Sequence, residues 1–384
     1  MRILHTSDWH VGRTFHGFDT GEHLRQVLTA LAERVRQERI DVVAIAGDVF
    51  DLSVPAARHF ELLTEALQEV RDAGAAVIAT SGNHDSAARL GFLAPLVALS
   101  GVHIVTRWPS EPVVLEDEHG PVRFYGIPYL EPHALRTVHG DPELGSADGT
   151  IRWAMDAVRA DLQEHPARSF VLAHCFVGRT PAGSEIDDDA PRDITVGGKS
   201  MVSASHFAGV DYAALGHIHS RQEILPHVRY SGAPLHFSFR ERSPERGGWL
   251  VDLGRTGVDS IEWVPLPVPR QLTTVTGELE TLLADPGLDG TEDHWVRAIL
   301  TDAARPTEPM QRLRRRWPNC AHVELRPPDR ARAETAYRER VRERTDIEII
   351  ESFVADVRDH EPLAPEERAI AQAAMARMQQ EAAE

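Results

Sequence analysis

Residues 2–10 read Arg-Ile-Leu-His-Thr-Ser-Asp-Trp-His, a short β-branched run that stops at Thr6 and passes into a turn carrying Asp8 and His10. The same event recurs along the chain. A strand candidate at 42–46 ends on Gly47-Asp48, one at 76–80 leads to Gly82-Asn83-His84-Asp85, one at 170–173 meets His174, and one at 212–215 meets Gly216-His217-Ile218-His219. Further strands are expected at 122–127, 228–231 and 249–253, and helices at 23–38, 56–73, 89–99 and 151–164, the second opened by Ser53 and Pro55 and closed by Gly74. Short strands alternating with amphipathic helices define an α/β class of layered sheets covered by helices. The carboxyl ends of strands in open α/β sheets converge on one crevice, so turn residues distant in sequence can meet. One shared site is predicted.

Asp8, His10, Asp48, Asn83, His174, His217 and His219 make a mixed oxygen and nitrogen donor set, which suits octahedral Mn²⁺, Fe or Zn²⁺ and excludes a soft thiolate site. Seven donors are too many for one ion, and two ions sharing a carboxylate is the economical solution. Taken singly the motifs are weak: Asp-X-His and Gly-Asp are more often turns, and His217 and His219 alternate on an extended segment, which would point them to opposite faces. The signal is their joint placement after strands.

The formal net charge of −18 argues against a nucleic-acid partner, since phosphate binding normally needs clustered cations. Several of the acids are wanted as ligands, however, and others lie far from the site, at Asp187–Asp189 and in the acidic tail. Nearly all the cations are Arg, with Lys199 the single Lys, and Arg suits bidentate phosphate contacts. Cys175 and Cys320 have no paired spacing and are expected to be reduced and structural. No apolar run approaches the roughly 18 residues of a membrane span, and no secretory leader is legible, so a cytoplasmic protein is expected.

Segments 141–150 and 179–199 are rich in Gly, Pro, Ser and Asp and read as loops. The proline-spaced stretch 265–269 cannot continue a central strand and marks a domain boundary. Strands at 271–275, 295–301 and 322–325, with helices at 277–284 and 309–317, then form a small α+β unit. From about residue 333 the chain turns charged and helical, with apolar stripes of Ile350, Phe353, Val354 and Val357, and of Ile370, Ala374, Met375 and Met378. The expected division is a catalytic domain 1–268, an α+β cap 269–335 and a helical tail 336–384.

Asp8-X-His10, Gly47-Asp48-X-X-Asp51, Gly82-Asn83-His84-Asp85, His174 and Gly216-His217-X-His219 together resemble the signature of the calcineurin-like metallophosphoesterases. Leu4-His5-Thr6-Ser7, Thr195-Val196-Gly197-Gly198 and Tyr230-Ser231-Gly232-Ala233-Pro234 with Ser238-Phe239 narrow the resemblance to bacterial SbcD nucleases, partners of the SbcC ATPase. The resemblance implies a layered phosphoesterase β-sandwich flanked by helices, followed by a cap and a partner-binding tail. It implies one ion on Asp8, His10 and His219, another on Asn83, His174 and His217, Asp48 bridging, and His84 as a catalytic, non-ligand His. Asp85 would orient His84 or its loop, or be an ordinary turn residue.

The activity so implied is two-metal hydrolysis of DNA, as a 3′–5′ exonuclease on duplexes and an endonuclease on single strands and hairpins. Two divalent ions per subunit, Mn²⁺ first among them, are expected. The partners implied are DNA, a coiled-coil SbcC-type ATPase held by the C-terminal helices, and a second copy of the chain within a heterotetramer, with no membrane. Asp51 stands where some relatives carry a His, and His5 and His16 lie close in sequence to the motifs. A nucleotide or cyclic-nucleotide phosphodiesterase would keep every metal residue and is the competing reading. A Ser/Thr protein phosphatase is disfavoured by Asp51-Leu52-Ser53 and Asp85, and a non-catalytic scaffold by the complete donor set.

Overall fold

The computed structural model describes residues 1–178, 201–241, 243–327, 345–357 and 362–381. Asp187–Asp189, the Thr195–Gly198 stretch and Lys199 lie outside them.

Two six-stranded sheets form the body of the chain. The first runs in the order Gly257–Leu266, Arg246–Gly254, Arg2–Thr6, Val42–Ala46, Ala76–Thr80, Val102–Val105. Its last four strands are parallel, and its first two add an antiparallel edge. The second runs Gln222–Leu225, Val228–Tyr230, Tyr212–Gly216, Arg168–His174, Gly120–Ile127, Val113–Asp117, parallel in the middle with an antiparallel hairpin at each edge.

Strand alternation makes the layers. Val42, Ala44 and Ala46 face inward with Ile3 and Ile78, against Phe124, Phe170, Leu172 and Tyr212 of the other sheet. Val43 and Ile45, one residue out of phase, pack instead with Leu28, Leu31 and Val35 of the helix Gly21–Glu38 and Leu62, Ala66 and Val70 of the helix Ala57–Asp72. On the far side Val171, Ala173, Ala213 and Leu215 meet Ile151, Met155 and Val158 of the helix Ala147–Glu164. This is the helix-flanked β-sandwich expected from the sequence.

Several local expectations fail for identifiable reasons. The helix expected at 89–99 is two short ones, Ala87–Leu90 and Ala94–Val97, because Gly91 interrupts the pattern and Pro95, lacking an N–H, can sit only in a first turn. The helix Ala57–Asp72 is preceded by Ala56, not capped by Ser53. Residues 147–150 are helix rather than loop: the Ser146 hydroxyl accepts from Gly149 N at 3.1 Å, so the turn-like Ser-Ala-Asp-Gly is an N-cap. The structure adds the edge strands Val102–Val105, Val113–Asp117, Gln222–Leu225 and Gly257–Leu266 and the helix Pro132–His139, which Glu131 caps, to the elements expected from the sequence. Pro265 lies in one of those edge strands, where a missing ladder N–H is tolerated.

The chain divides into two compact units, Met1–Thr274 with Asp289–Arg297 and Arg314–His322, and Val275–Leu288 with Ala298–Leu313 and Val323–Glu384. Residues 272–325 hold a three-stranded sheet in the order Leu272–Gly277, Trp295–Leu300, Cys320–Leu325, with helices Leu279–Ala284 and Pro309–Arg316. At the C-terminal end, helices Asp346–Val357 and Pro365–Glu381 are joined by an Arg368–Glu351 ion pair at 2.7 Å. No described helix is long and apolar enough to cross a membrane.

Candidate metal centre

The loops that leave the parallel strands are zipped to one another before any side chain is considered. Asp8 N donates to Gly47 O and His10 N to Asp48 O, each at 3.0 Å. Seven described non-glycine residues have a positive φ, and four of them are Asp8 (54°), His10 (44°), Asp48 (48°) and His217 (102°). Such conformations are sparsely populated and persist only where surroundings impose them, typically at functional sites. Gly47, at φ 87°, also lies so close to the His174 ring that a Cβ would overlap Nδ1.

Two groups of donors result. His10 Nε2 and His219 Nε2 approach to 3.1 Å beside Asp8. Asn83 Oδ1 lies 3.0 Å from His174 Nε2 and 3.1 Å from His217 Nδ1. Asp48 Oδ2 stands between them, 3.6 Å from His10 Nε2 and 3.4 Å from His174 Nε2. All seven ligand candidates are therefore brought together. His217 and His219 do point to different places, one into each group.

The donor chemistry fits cations. His174 Nδ1–H donates to Ala46 O at 2.9 Å, so in the neutral ring Nε2 would present a lone pair to Asn83 Oδ1 and Asp48 Oδ2, two further acceptors. Acceptors converging in this way require a positive charge among them, which a metal ion would supply to the neutral ring and which, without one, a proton on Nε2 supplies. Burial disfavours charge on His174, yet Asp48 outweighs it and lifts the imidazole to about 9. Burial pushes His10 and His217 down to about 3 and raises Asp8, whereas Asp48, despite its own burial, is held well below the usual carboxylate range by His174.

His84 occupies the rim. Its Nδ1–H donates to Asp51 O at 2.8 Å, and its side chain is 39% exposed where His10 and His174 are fully covered. Geometry alone would also let it join His10 and Asp48 as a ligand trio. Among the described residues the Asp85 carboxylate makes no hydrogen bond to His84 and accepts from Val49 N (3.0 Å), Phe50 N (2.8 Å) and Gly82 N (2.9 Å). It clamps two of the donor loops together. His5 is a satisfied core residue, with Nδ1 3.1 Å from Tyr212 Oη and Nε2 3.1 Å from Leu215 O. His16 packs on Phe239 and His322, away from the donors.

Two supporting carboxylates were not read from the sequence as such. Asp51 Oδ1 is 3.4 Å from His10 Nδ1, and buried Glu241 Oε1 is 3.1 Å from His219 Nδ1, its other oxygen 2.6 Å from the Arg246 guanidinium. Carboxylates behind a ligating His fix its tautomer and ring orientation. Glu241 sits among Ser238-Phe239-Arg240, where a charged residue looks like ordinary loop surface, and nothing in the spacing marks it. Glu241→Gln is expected to keep the fold but weaken metal affinity by about tenfold or more, measured by calorimetric titration.

Residues 1–221 match the model of the calcineurin-like phosphoesterases, and the chain belongs to that family. Membership implies a hydrolase of phosphoesters that works with divalent metal ions. Residues 268–358 match a second family, the type 5 capsule protein repressor C-terminal domain. The chain is also 24% identical over 365 residues to the SbcD subunit of the nuclease SbcCD from Staphylococcus epidermidis, covering 94% of each. These matches bear out the resemblance to bacterial SbcD. Among solved structures, GAP50, the anchor in the inner membrane complex of Plasmodium, is similar with a TM-score of 0.37 and 11% identity, covering 86% of this chain and 98% of that one.

Proposed function

We propose that this chain is the nuclease subunit of an SbcCD-type DNA-repair complex, a 3′–5′ exonuclease on duplex ends and an endonuclease on single strands and hairpins. The observation that carries this reading is the pair of lone-pair clusters sharing Asp48, with His84 standing exposed beside them. Asp8, His10 and His219 would hold one ion and Asn83, His174 and His217 the other. A bound pair of divalent cations supplies Lewis acidity toward phosphoryl oxygens and makes water acidic enough to attack near neutral pH.

The chain's own groups do the rest. Asp51 and Glu241 hold the His10 and His219 rings with Nε2 turned inward. The Asp51 carbonyl fixes His84 through Nδ1, so that Nε2 can carry the proton needed by a departing 3′ oxygen. His nitrogens supply about half the donors, and Mg²⁺ prefers oxygen and retained water. Cleavage of single-stranded DNA should therefore be efficient with added Mn²⁺ and poor with Mg²⁺. Equal rates with Mg²⁺ alone would count against this site, and turnover of cyclic nucleotides in preference to DNA would replace the nuclease reading.

Residues 269–335 are read as a capping domain and 336–384 as a tail that grips a coiled-coil ATPase on which duplex processing depends. A cytoplasmic location belongs to the same reading, supported by kinship with a bacterial SbcD. Phe92 (77% exposed), Leu93, Leu96 and Leu99 (87%) are exposed apolar side chains on and beside the short helices Ala87–Leu90 and Ala94–Val97, and Phe60 is exposed on the helix Ala57–Asp72. Homodimerisation through these helices is expected, and a monomeric mass by light scattering at micromolar concentration would contradict it.

A further inference from the structure

Arg13 follows the first donor loop directly, its N–H donating to His10 O at 2.9 Å. The guanidinium reaches back over the site. Nη1 lies 3.3 Å from Asp51 Oδ1 and 3.3 Å from His10 Nε2, while Cζ sits 5.0 Å from the centroid of the Phe237 ring. Phe237 is buried and packs edge-on against both His10 and His219, so the arginine rests on the apolar wall of the donor cluster. The side chain keeps 27% exposure.

Two features separate this arrangement from a structural ion pair. Among the described residues, every side-chain hydrogen bond of Arg13 uses Nη1, which leaves Nε and Nη2 to offer. A guanidinium carries five N–H donors and stays charged, so most of its hydrogen-bonding capacity is unspent. Second, one of its Nη1 neighbours is His10 Nε2, the lone pair assigned to the first ion. Once that lone pair is engaged, the guanidinium keeps the Phe237 ring beneath it and one partly exposed carboxylate contact, a weak ionic anchor. A cation of this kind, beside the donors and with N–H groups unspent, is suited to an oxyanion.

We propose that Arg13 is a substrate-binding residue whose guanidinium engages a non-bridging oxygen of the DNA phosphodiester at the metal centre. The proposal rests on the nuclease reading above and adds to it a cation beside the donors of a chain whose net charge is −18. Asp51 then has two duties, orienting His10 and holding Arg13 near the ions against their repulsion.

The test is equilibrium binding of a fluorescent single-stranded oligonucleotide to the Mn²⁺-loaded full chain, in a His84→Ala background so that the probe survives. Arg13→Ala is expected to weaken binding roughly tenfold or more. It should also flatten the salt dependence by about 0.7 in log–log slope, the signature of one lost phosphate contact on a single strand. Bound Mn²⁺ and the melting temperature should not change. Arg13→Lys should restore the slope and part of the affinity, since it keeps the charge without the fork. Unchanged affinity and slope in Arg13→Ala would overturn the proposal, and so would loss of Mn²⁺ in step with DNA, which would make Arg13 a prop for His10. If the chain with Arg13 intact neither binds nor, with His84 present, cleaves DNA, both the proposal and the nuclease reading fall. Normal wild-type cleavage with an indifferent Arg13→Ala removes the proposal alone.

Discussion

His84→Ala is expected to retain both metal ions and lose about 10²–10⁴-fold in DNA cleavage, the usual worth of a positioned general acid. The expectation follows from where the ring is. Nδ1 is committed to the Asp51 carbonyl, and the exposed ring can exchange a proton with solvent between turnovers. The ligand candidates His10 and His174 are by contrast fully covered. The competing arrangement, in which His84 joins His10 and Asp48 as a ligand, makes a different forecast. Metal content would then fall with the rate. Metal analysis of the purified variant, paired with single-turnover cleavage, separates the two, and Asp48→Ala serves as the reference because a carboxylate between both clusters should empty both. Loss of an ion from His84→Ala would undo the assignment of acid and ligand together.

Phe353→Glu should leave folding and metal-dependent cleavage of single strands intact while lowering affinity for the partner ATPase by about a thousandfold. Phe353 is 61% exposed on the helix Asp346–Val357, and Ile370 is 70% exposed on the helix Pro365–Glu381. A side chain already facing water is replaced by a charge at little cost to the chain itself. Against a partner the terms reverse. Burying one Phe contributes about 1.5–3 kcal/mol, and forcing a carboxylate into its place adds desolvation, so the sum can exceed about 4 kcal/mol. Copurification with the ATPase, read beside ATP-stimulated degradation of duplex ends, checks it. Wild-type copurification would remove the docking reading and leave the metal centre untouched, since the two rest on separate residues.

Much of the fold could be read from periodicity, and where reading stopped there is a pattern. The central strands Val42–Ala46 and Ala76–Thr80 are almost wholly buried and therefore nearly continuously apolar, which makes them visible in one dimension, whereas Arg2–Thr6 is as buried but carries His5 and Thr6 inside. The edge strand Gly257–Leu266, with Asp259, Ser260 and Glu262 toward solvent, looks like a loop until its partner Arg246–Gly254 is alongside. Gly91 and Pro95 break the apolar spacing of 89–99, which therefore does not mark one core face: Leu90 and Val97 pack on the core while Phe92 and Leu96 are exposed.

The site divides along the same line. Asp8, His10, Asp48, Asn83, His174, His217 and His219 were determined by sequence as one group, because each ends a parallel strand and such ends share an edge of the fold. What sequence could not supply is which groups stand behind them. Glu241 is chosen by its proximity to His219, Asp51 by the turn that brings it beside His10 and His84, and Asp85 by three amides from two loops. Those choices are made by loop conformation and long-range packing, which obey no fixed spacing. A donor set can be read from the types and order of residues, whereas the supporting charges, Arg13 among them, acquire their chemistry only when the chain has closed around the site.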